Sequence, residues 1–444
     1  MKLTDVIKPG RIIFRGRTYT PDEVRANIDD LARHLSTILP PDKPFVYLSG
    51  VNHAKFIFAY FAIIKAGHIC VIVDPKTGPI EYGEYLEKVS PAAVIKINCD
   101  TMEWDLVGEI KIRDNGAEYT DELDDVCTMI FHAADDGYAK ALMLTNRSIY
   151  ADAKAHADTN QSSASSLVCA LVPFCHLYSL TVGIVVPFLS NAGLIVLSAN
   201  ERGCFQAFSC HRPTHLYSVP VTFHFMLKEA KSLAEDVRGC IFNSGGYTLP
   251  FSTFEHFREM FGGVIRNGYG LSEASPVCTW NHLNDAVNPQ SVGTAFSCCK
   301  LRVAPADCPS LPPGTEGEVL VAGENVFKGY YKDPVASMAI LSDGWLHTRD
   351  IGYIDEKGYL FLAGNTRRML NVTGKKVFPA EVERLIGMHK NVEKVHVYGV
   401  WNEATGHSVK AEVSFKKPAE EAMGELRDWC RLNLSPSKIP HFHA

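Results

Sequence analysis

GNTRRMLNVTGKKVFPAEVE, residues 364–383, is the stretch whose reading decides the fold. It sits where the character of the chain changes. On its N-terminal side, from about residue 311, GTEGEVLVAGENVFKGYY and GWLHTRDIGYIDEKGYLFLAGN read as short strands between Gly- and Asp-rich turns, a β-rich region. On its C-terminal side AEVERLIGMHK has an amphipathic helical pattern. The strands VEKVHVYGV and VKAEVSF follow, then a last helix near EEAMGELRDWCRLNL, so the tail reads as a small α+β unit of about 75 residues.

Further out, the first 300 residues alternate helical and strand patterns. TPDEVRANIDDLARHLSTILP opens with Thr20 and Pro21 as N-cap and first-turn signals and keeps apolar residues at helical spacing through Ile38. PFVYLSG is a short buried strand, HAKFIFAYFAIIKAG a buried helix ending at Gly67, and HICVIVDP another strand. The theme recurs in AAVIKI, VCTMIFHA, SLVCALVPF, GLIVLSA, THLYSVP and GCIFNSGG. Strands separated by helices predict parallel sheets covered on both faces, with a site beyond the carboxyl ends of the strands. The uncharged run 177–199 has the length of a membrane span, but Pro187, Ser190, Asn191 and Gly193 cut it, so a buried helix, a turn and an inner strand are expected.

Bulk properties exclude several classes. At 444 residues and 46% apolar content the chain can build two or three sizeable cores. A net charge of −6 without clustered Lys and Arg is no nucleic-acid footprint. The start lacks a secretory apolar core, and thirteen cysteines without a CxxC pair suit reduced thiols, so a cytoplasmic protein without a structural metal or a disulfide framework is expected.

Three stretches in fixed order, NGYGLSE (267–273), GWLHTRDIGYIDEKGYL (344–360) and the opening one, resemble the acyl-adenylate-forming enzymes: acyl-CoA synthetases, aryl-CoA ligases and adenylation domains. The last carries Gly364, Gly374, Val377, Pro379, Glu381 and Glu383 at the family's spacing. The resemblance runs from TYTPDEV to SKIP. It implies an α/β fold: a large N-terminal domain, residues 1–367, of parallel-type sheets flanked by helices with a β-rich subdomain, and a small mobile α+β domain, 368–444, hinged at Arg368. It also implies two steps, formation of an acyl-AMP from a carboxylate and ATP, then displacement of AMP by the thiol of CoA or of a carrier protein's phosphopantetheine.

The same resemblance assigns residues. Tyr269 would stack on adenine, Ser272 contact phosphate, and Glu273 hold Mg²⁺; a Gly-flanked aromatic beside a carboxylate suits such a ligand. Asp350 would accept both ribose hydroxyls, with Gly270 beside Tyr269. Arg349 replaces the family's usual Gly before Asp350, and Asn365 replaces an Arg, removing a bidentate donor. Gly245 and Gly246 in NSGGYTLP lie between acyl pocket and adenine, where Tyr247 would narrow the space and favour a small or aromatic acid. His176 would line the acyl pocket, and Gly374 belongs to the loop that meets the acceptor thiol.

Two departures concern the first step. Residues 132–137, HAADDG, fall where the family has hydroxyls and Gly amides that hold the β- and γ-phosphates. Gly137 and the following Lys140 remain, but Asp135 and Asp136 stand in the turn. Each carboxylate near a phosphate charge costs up to about 4 kcal/mol in a moderately polar site. Three outcomes stay open: a hairpin without phosphate binding, an Asp pair holding Mg²⁺, or a repurposed loop. The sequence also ends before the position of the family's adenylation lysine, whose role does not pass to Lys438. The expectation is therefore an acid–thiol ligase with weakened or lost ATP and Mg²⁺ binding. The alternatives are a homologue that transfers acyl groups from acyl-AMP or an acyl thioester without adenylating, and a non-catalytic partner module.

Overall fold

The computed structural model describes residues 2–42, 44–97, 111–112, 119–133, 136–197, 204–229, 233–283, 287–304, 311–365, 369–402 and 406–443. Among these residues the strands form four sheets. The first, seven-stranded, centres on Phe45–Gly50, Ile69–Val73, Ala93–Ile97 and Val126–Ala133, all parallel, and ends in the antiparallel strands Ala139–Thr145 and Gly329–Tyr330. The second, nine-stranded, has a parallel centre of Gly193–Val196, Leu167–Ala170, His215–Ser218, Ile241–Ser244 and Ile265–Gly270, continued antiparallel by Val277–Trp280.

The burial follows from the pattern. The parallel strands are apolar runs because helices cover both faces, and Phe45–Leu48 are fully buried. Helix Pro21–Ile38 begins with the predicted cap: the Thr20 hydroxyl accepts from Glu23 N–H and the Glu23 carboxylate from Thr20 N–H. Helix Ala54–Lys65 is buried along its length, and its Phe61 stacks on Phe188 with ring centroids 4.6 Å apart. Phe188 belongs to the uncharged run, which folds as a helical stretch over Leu177–Leu189 and then the strand Gly193–Val196. The segment Thr181–Val185 is π-helical just ahead of Pro187; the wider turn removes the carbonyl clash that a proline ring makes in a regular helix. No described helix is long and apolar enough to cross a membrane.

The third sheet, Cys299–Ala304, Gly317–Gly323, Trp345–Ile354, Leu341–Ser342 and Leu360–Asn365, is antiparallel and forms the expected β-rich part. The fourth pairs Leu370–Val372, Lys375–Val377, Val392–Asn402, Gly406–Phe415 and His441–His443 around helices Pro379–Gly387 and Ala419–Asn433, with its own apolar core. The fold is the mixed α/β architecture expected from the sequence. The hinge position Arg368 lies outside the described residues.

Candidate active site

The ends of the parallel strands converge on one cavity of about 250 Å³. Asp74 follows Ile69–Val73, His132 sits near the end of Val126–Ala133, Gly245 and Gly246 follow Ile241–Ser244, and Tyr269 and Gly270 close Ile265–Gly270. Ser272, His176, Tyr178 and Trp280 line it from the large part of the chain; Gly374, Lys375, Glu381 and Lys438 line it from the C-terminal part. Seven of the residues singled out from the sequence, Gly245, Gly246, Tyr269, Gly270, Ser272, His176 and Gly374, therefore line one cavity.

Tyr269 donates its hydroxyl to Asp350 Oδ2 at 2.6 Å, so two side chains 81 positions apart meet as a unit. Asn365 lies opposite Asp350 in strand register. Arg349 has a left-handed backbone, φ +61°, a conformation that suits Gly better than Arg. Its N–H is held by Glu318 Oε1 at 2.8 Å.

Glu273 is fully buried. Its Oε1 accepts from the Tyr330 hydroxyl at 2.9 Å and lies 3.3 Å from His132 Nε2. A Mg²⁺ at this oxygen would have to compete with both groups. His132 is the first residue of the HAADDG turn, and its ring stacks on Phe378 of the C-terminal part, 6.3 Å between centroids.

The turn itself is a hairpin, with Ala133 opposite Ala139. Asp135 lies outside the described residues. Asp136 is not a bare charge: its Oδ1 accepts from Tyr138 N–H at 3.0 Å and its Oδ2 lies 2.8 Å from Lys140. Lys140 also reaches Asp333 at 2.8 Å. Burial works against the Lys140 charge, but the two carboxylates outweigh it and raise its pKa. Lys140, shared with Asp333, therefore offsets only part of the roughly 4 kcal/mol that a bare carboxylate would cost at Asp136. Gly137, at φ +78°, packs on the C-terminal helix Pro379–Gly387: a Cβ there would stand 2.9 Å from the Ala380 carbonyl oxygen. Arg384 donates from Nε to the Gly137 carbonyl and pairs through both terminal nitrogens with Glu84, at 2.6 and 2.9 Å. The C-terminal helix thus covers the turn.

The opposite end of the cavity is a backbone cradle. Gly374 and Gly246, both at positive φ, face Val219; a Cβ on either would lie 3.2–3.3 Å from Val219 Cγ1. Asn371 bridges the two loops, donating to the Gly246 carbonyl at 2.9 Å and accepting from Gly374 N–H at 3.1 Å. Lys375 binds Asp74 at 2.6 Å. Burial opposes the Asp74 charge, but Lys375 and the Lys76 N–H prevail and lower its pKa. Asp74, Cys175 and His176 bring one oxygen, one sulfur and one nitrogen within 4.8 Å of each other, but Lys375 and the Lys76 N–H already hold the two Asp74 oxygens. Burial, with Lys375 adding to it, pushes His176 down to about 4, so it is a neutral wall residue.

Tyr247 departs from expectation. The chain turns at Gly246, φ +92°, and Tyr247 is not among the lining residues. The narrowing falls to Tyr178, whose ring a Cβ on Gly245 would meet at 2.9 Å, and to Trp280. The sequence gives no role to Glu81 and no reason to bring it together with Glu381 and Lys438. Lys438 is buried between the two carboxylates, bonded to Glu81 and 2.8 Å from Glu381. Burial raises the pKa of Glu381, and Lys438 offsets this only in part. The available signal was a lysine in SKIP beside a helix whose first turn carries Glu381.

The comparisons with known proteins agree with this layout. The model of the family described as AMP-binding enzyme matches residues 7–331, and that of the AMP-binding enzyme C-terminal domain matches 381–444. A long-chain-fatty-acid–CoA ligase of Bacillus subtilis (strain 168) is 30% identical over 323 residues, 71% of this chain and 57% of the relative. The chain thus spans little more than half the length of that relative. A feruloyl-CoA synthase of Amycolatopsis sp is 26% identical over 445 residues, covering 96% of this chain and 89% of that one. Among solved structures, o-succinylbenzoate CoA synthetase from Bacillus subtilis superposes with a TM-score of 0.85 at 21% identity, over 99% of this chain and 93% of that one; a malonyl-CoA ligase does so at 0.84 and 23%, over 98% and 95%. The chain belongs to the AMP-binding enzyme family, the acyl-adenylate-forming enzymes.

Proposed function

We propose that the chain is an acid–thiol ligase that binds a small or aromatic carboxylic acid, carries it as the acyl-AMP and delivers it to the thiol of CoA or of a carrier protein. The observation that carries this reading is the cavity that Tyr269, hydrogen-bonded to Asp350, shares with the Gly246–Gly374 cradle. Tyr269 and Asp350 suit an adenosine: the ring offers a face and the carboxylate accepts from a diol. The two glycines leave the cradle free of side chains, as the approach of a thiol to an acyl carbonyl requires. Residues 1–367 would form the acyl and nucleotide part and residues 368–444 the part that moves.

The triphosphate end supports a second reading, transfer from a preformed acyl-AMP or acyl thioester without adenylation. There this chain's own groups already engage one another: His132 and Tyr330 at Glu273 Oε1, Asp136 and Asp333 at Lys140, Arg384 at the Gly137 carbonyl. When bound, Mg²⁺ would supply charge neutralisation for the phosphates, and Glu273 is the residue that would hold it.

Acid-dependent exchange of labelled pyrophosphate into ATP tests the proposal. Exchange supports the full ligase. No exchange, with AMP still bound in calorimetry, supports transfer alone. No nucleotide binding at all refutes both and leaves a partner module. In the double variant Asp135→Thr with Asp136→Thr exchange should rise, and an unchanged rate sinks the electrostatic account of the turn.

A further inference from the structure

Asp74, Cys175 and His176 reach the cavity from the ends of two different sheets and meet there. Asp74 follows strand Ile69–Val73, and the Cys175–His176 pair follows strand Leu167–Ala170 after a short turn. One carboxylate oxygen, the Cys175 sulfur and one His176 ring nitrogen lie within 4.8 Å of one another, and all three residues line the cavity. The segment that carries the thiol and the imidazole is fixed from behind. Asn52 donates from Nδ2 to the Val172 carbonyl at 3.1 Å and accepts from Phe174 N–H at 2.7 Å, and the Ser179 hydroxyl donates to the same carbonyl at 2.6 Å.

A carboxylate, a thiol and an imidazole are the three side-chain types that bind Zn²⁺, and a sulfur ligand selects soft cations over Mg²⁺. Burial holds His176 at about 4, so its ring is neutral and keeps a lone pair for a metal. Tetrahedral bonds of about 2.0–2.3 Å set donor atoms about 3.3–3.8 Å apart, so a side-chain shift of about 1 Å brings these three into place. The position already holds a positive charge. Burial opposes the Asp74 charge, yet Lys375, 2.6 Å from Oδ2, and the Lys76 N–H on Oδ1 keep that carboxyl ionised.

We propose that Asp74, Cys175 and His176 form a site for one thiophilic divalent cation of the Zn²⁺ type, which takes the place of the Lys375 ammonium at Asp74. Binding releases the Cys175 proton to solvent and leaves the thiolate, the Asp74 carboxylate and the neutral imidazole on the metal. The two anionic ligands then balance the charge of the cation, and a Lys375 ammonium kept in contact would be a surplus charge of the same sign as the metal. Metal and ammonium therefore exclude each other at Asp74. Three protein ligands leave a fourth position for water or another exchangeable ligand from the cavity, so the ion is a removable one and not a structural staple. Lys375 follows Gly374 in the loop that Asn371 ties to Gly246, so the ion also takes away one of the contacts that hold this loop to the large part of the chain.

Titration of the full chain, stripped with a chelator, with Co²⁺ tests this, because a cobalt–thiolate bond absorbs in the near ultraviolet. The readout needs neither nucleotide nor turnover, so failure of the ligase reading leaves it intact. A single equivalent of Co²⁺ should give the thiolate band, Zn²⁺ should displace it, and excess Mg²⁺ should not. Cys175→Ser should abolish the band, and His176→Ala should weaken Co²⁺ binding by about tenfold or more. Lys375→Met removes the competing ammonium and should tighten binding by about tenfold, a gain that a misfolded chain does not imitate. No band at one equivalent, a band that survives in Cys175→Ser, displacement by Mg²⁺, or an affinity unchanged by Lys375→Met overturns the inference.

Discussion

Removing the Lys438 ammonium should loosen the C-terminal part of the chain more than any surface charge change could. Lys438 is 8% exposed, and Glu81 and Glu381 are each 2% exposed, so all three charges are out of water. At 2.8 Å from Glu381, the attraction is about 6 kcal/mol at an effective dielectric of 20. Glu81 adds a second contact, and the two glutamates repel each other. Desolvation cancels much of this in the intact triad, yet Lys438→Met leaves two buried carboxylates facing each other, an uncompensated charge that costs about 3–5 kcal/mol. Glu81 lies on helix Pro79–Lys88 and Glu381 on helix Pro379–Gly387, so the loss falls on the contact between the two parts. The pH dependence has a fixed sign. The folded-state pKa of Glu381 is already raised, and losing Lys438 raises it further. A carboxyl raised on folding binds more protons folded than unfolded, so the deficit of the variant relative to the intact chain should shrink as pH falls from 7.5 to 5. Urea denaturation followed by tryptophan fluorescence at both values measures this. A loss under about 1 kcal/mol, or a deficit that grows on acidification, refutes the reasoning. Adding Glu381→Gln to Lys438→Met should recover part of the loss, because one buried charge is gone.

Tyr269→Phe keeps the ring but takes the donor from Asp350 at 2.6 Å; calorimetry should show AMP affinity falling by about tenfold or less, whereas Asp350→Ala should lose more. The intact chain should lose stability on going from pH 7 to 5. Burial holds His156 at about 3, and burial with neighbouring cations holds His53 and His176 at about 4, so all three are neutral in the fold and take up protons on unfolding below about pH 6.5. Each contributes about 2 kcal/mol between neutrality and pH 5, and His156→Phe should flatten the stability profile measured by urea denaturation. Gly137→Ala combines an unfavourable φ of +78° with a Cβ 2.9 Å from Ala380 O. Thioester formation from added acyl-AMP should fall by about tenfold, while AMP binding in calorimetry stays unchanged.

How much of this was legible in the sequence depends on the range of the interaction. The alternation of strand and helix is local, and Phe45–Gly50, Ala54–Lys65 and Ile69–Val73 form where their patterns place them. The hairpin over the HAADDG turn was equally readable, since Asp-Gly is a turn signal whatever surrounds it. What was misjudged is the charge of that turn. Lys140, which pairs with Asp136, is only four positions on, but the fold also brings in Asp333, 193 positions from Lys140, to share that ammonium. Tyr247 was misread for a related reason: its position in a glycine-rich segment says that it is near the cavity, but the positive φ of Gly246 decides which way it turns. The triad of Glu81, Glu381 and Lys438 joins residues up to 357 positions apart, which no spacing rule reaches.

The same turn explains why the two ends of the cavity differ in what they ask of a ligand. A loop that grips phosphates must present amides and hydroxyls with nothing else to bind. Here the Gly137 carbonyl is taken by Arg384, the Asp136 carboxylate by Lys140 and the Tyr138 N–H, and the Tyr138 ring by the Arg384 guanidinium at 4.6 Å. These contacts tie the turn to helix Pro379–Gly387, the element that also brings Glu381 to Lys438. A triphosphate would have to break several of them together, whereas an adenylate at Tyr269 and Asp350 would break none of them.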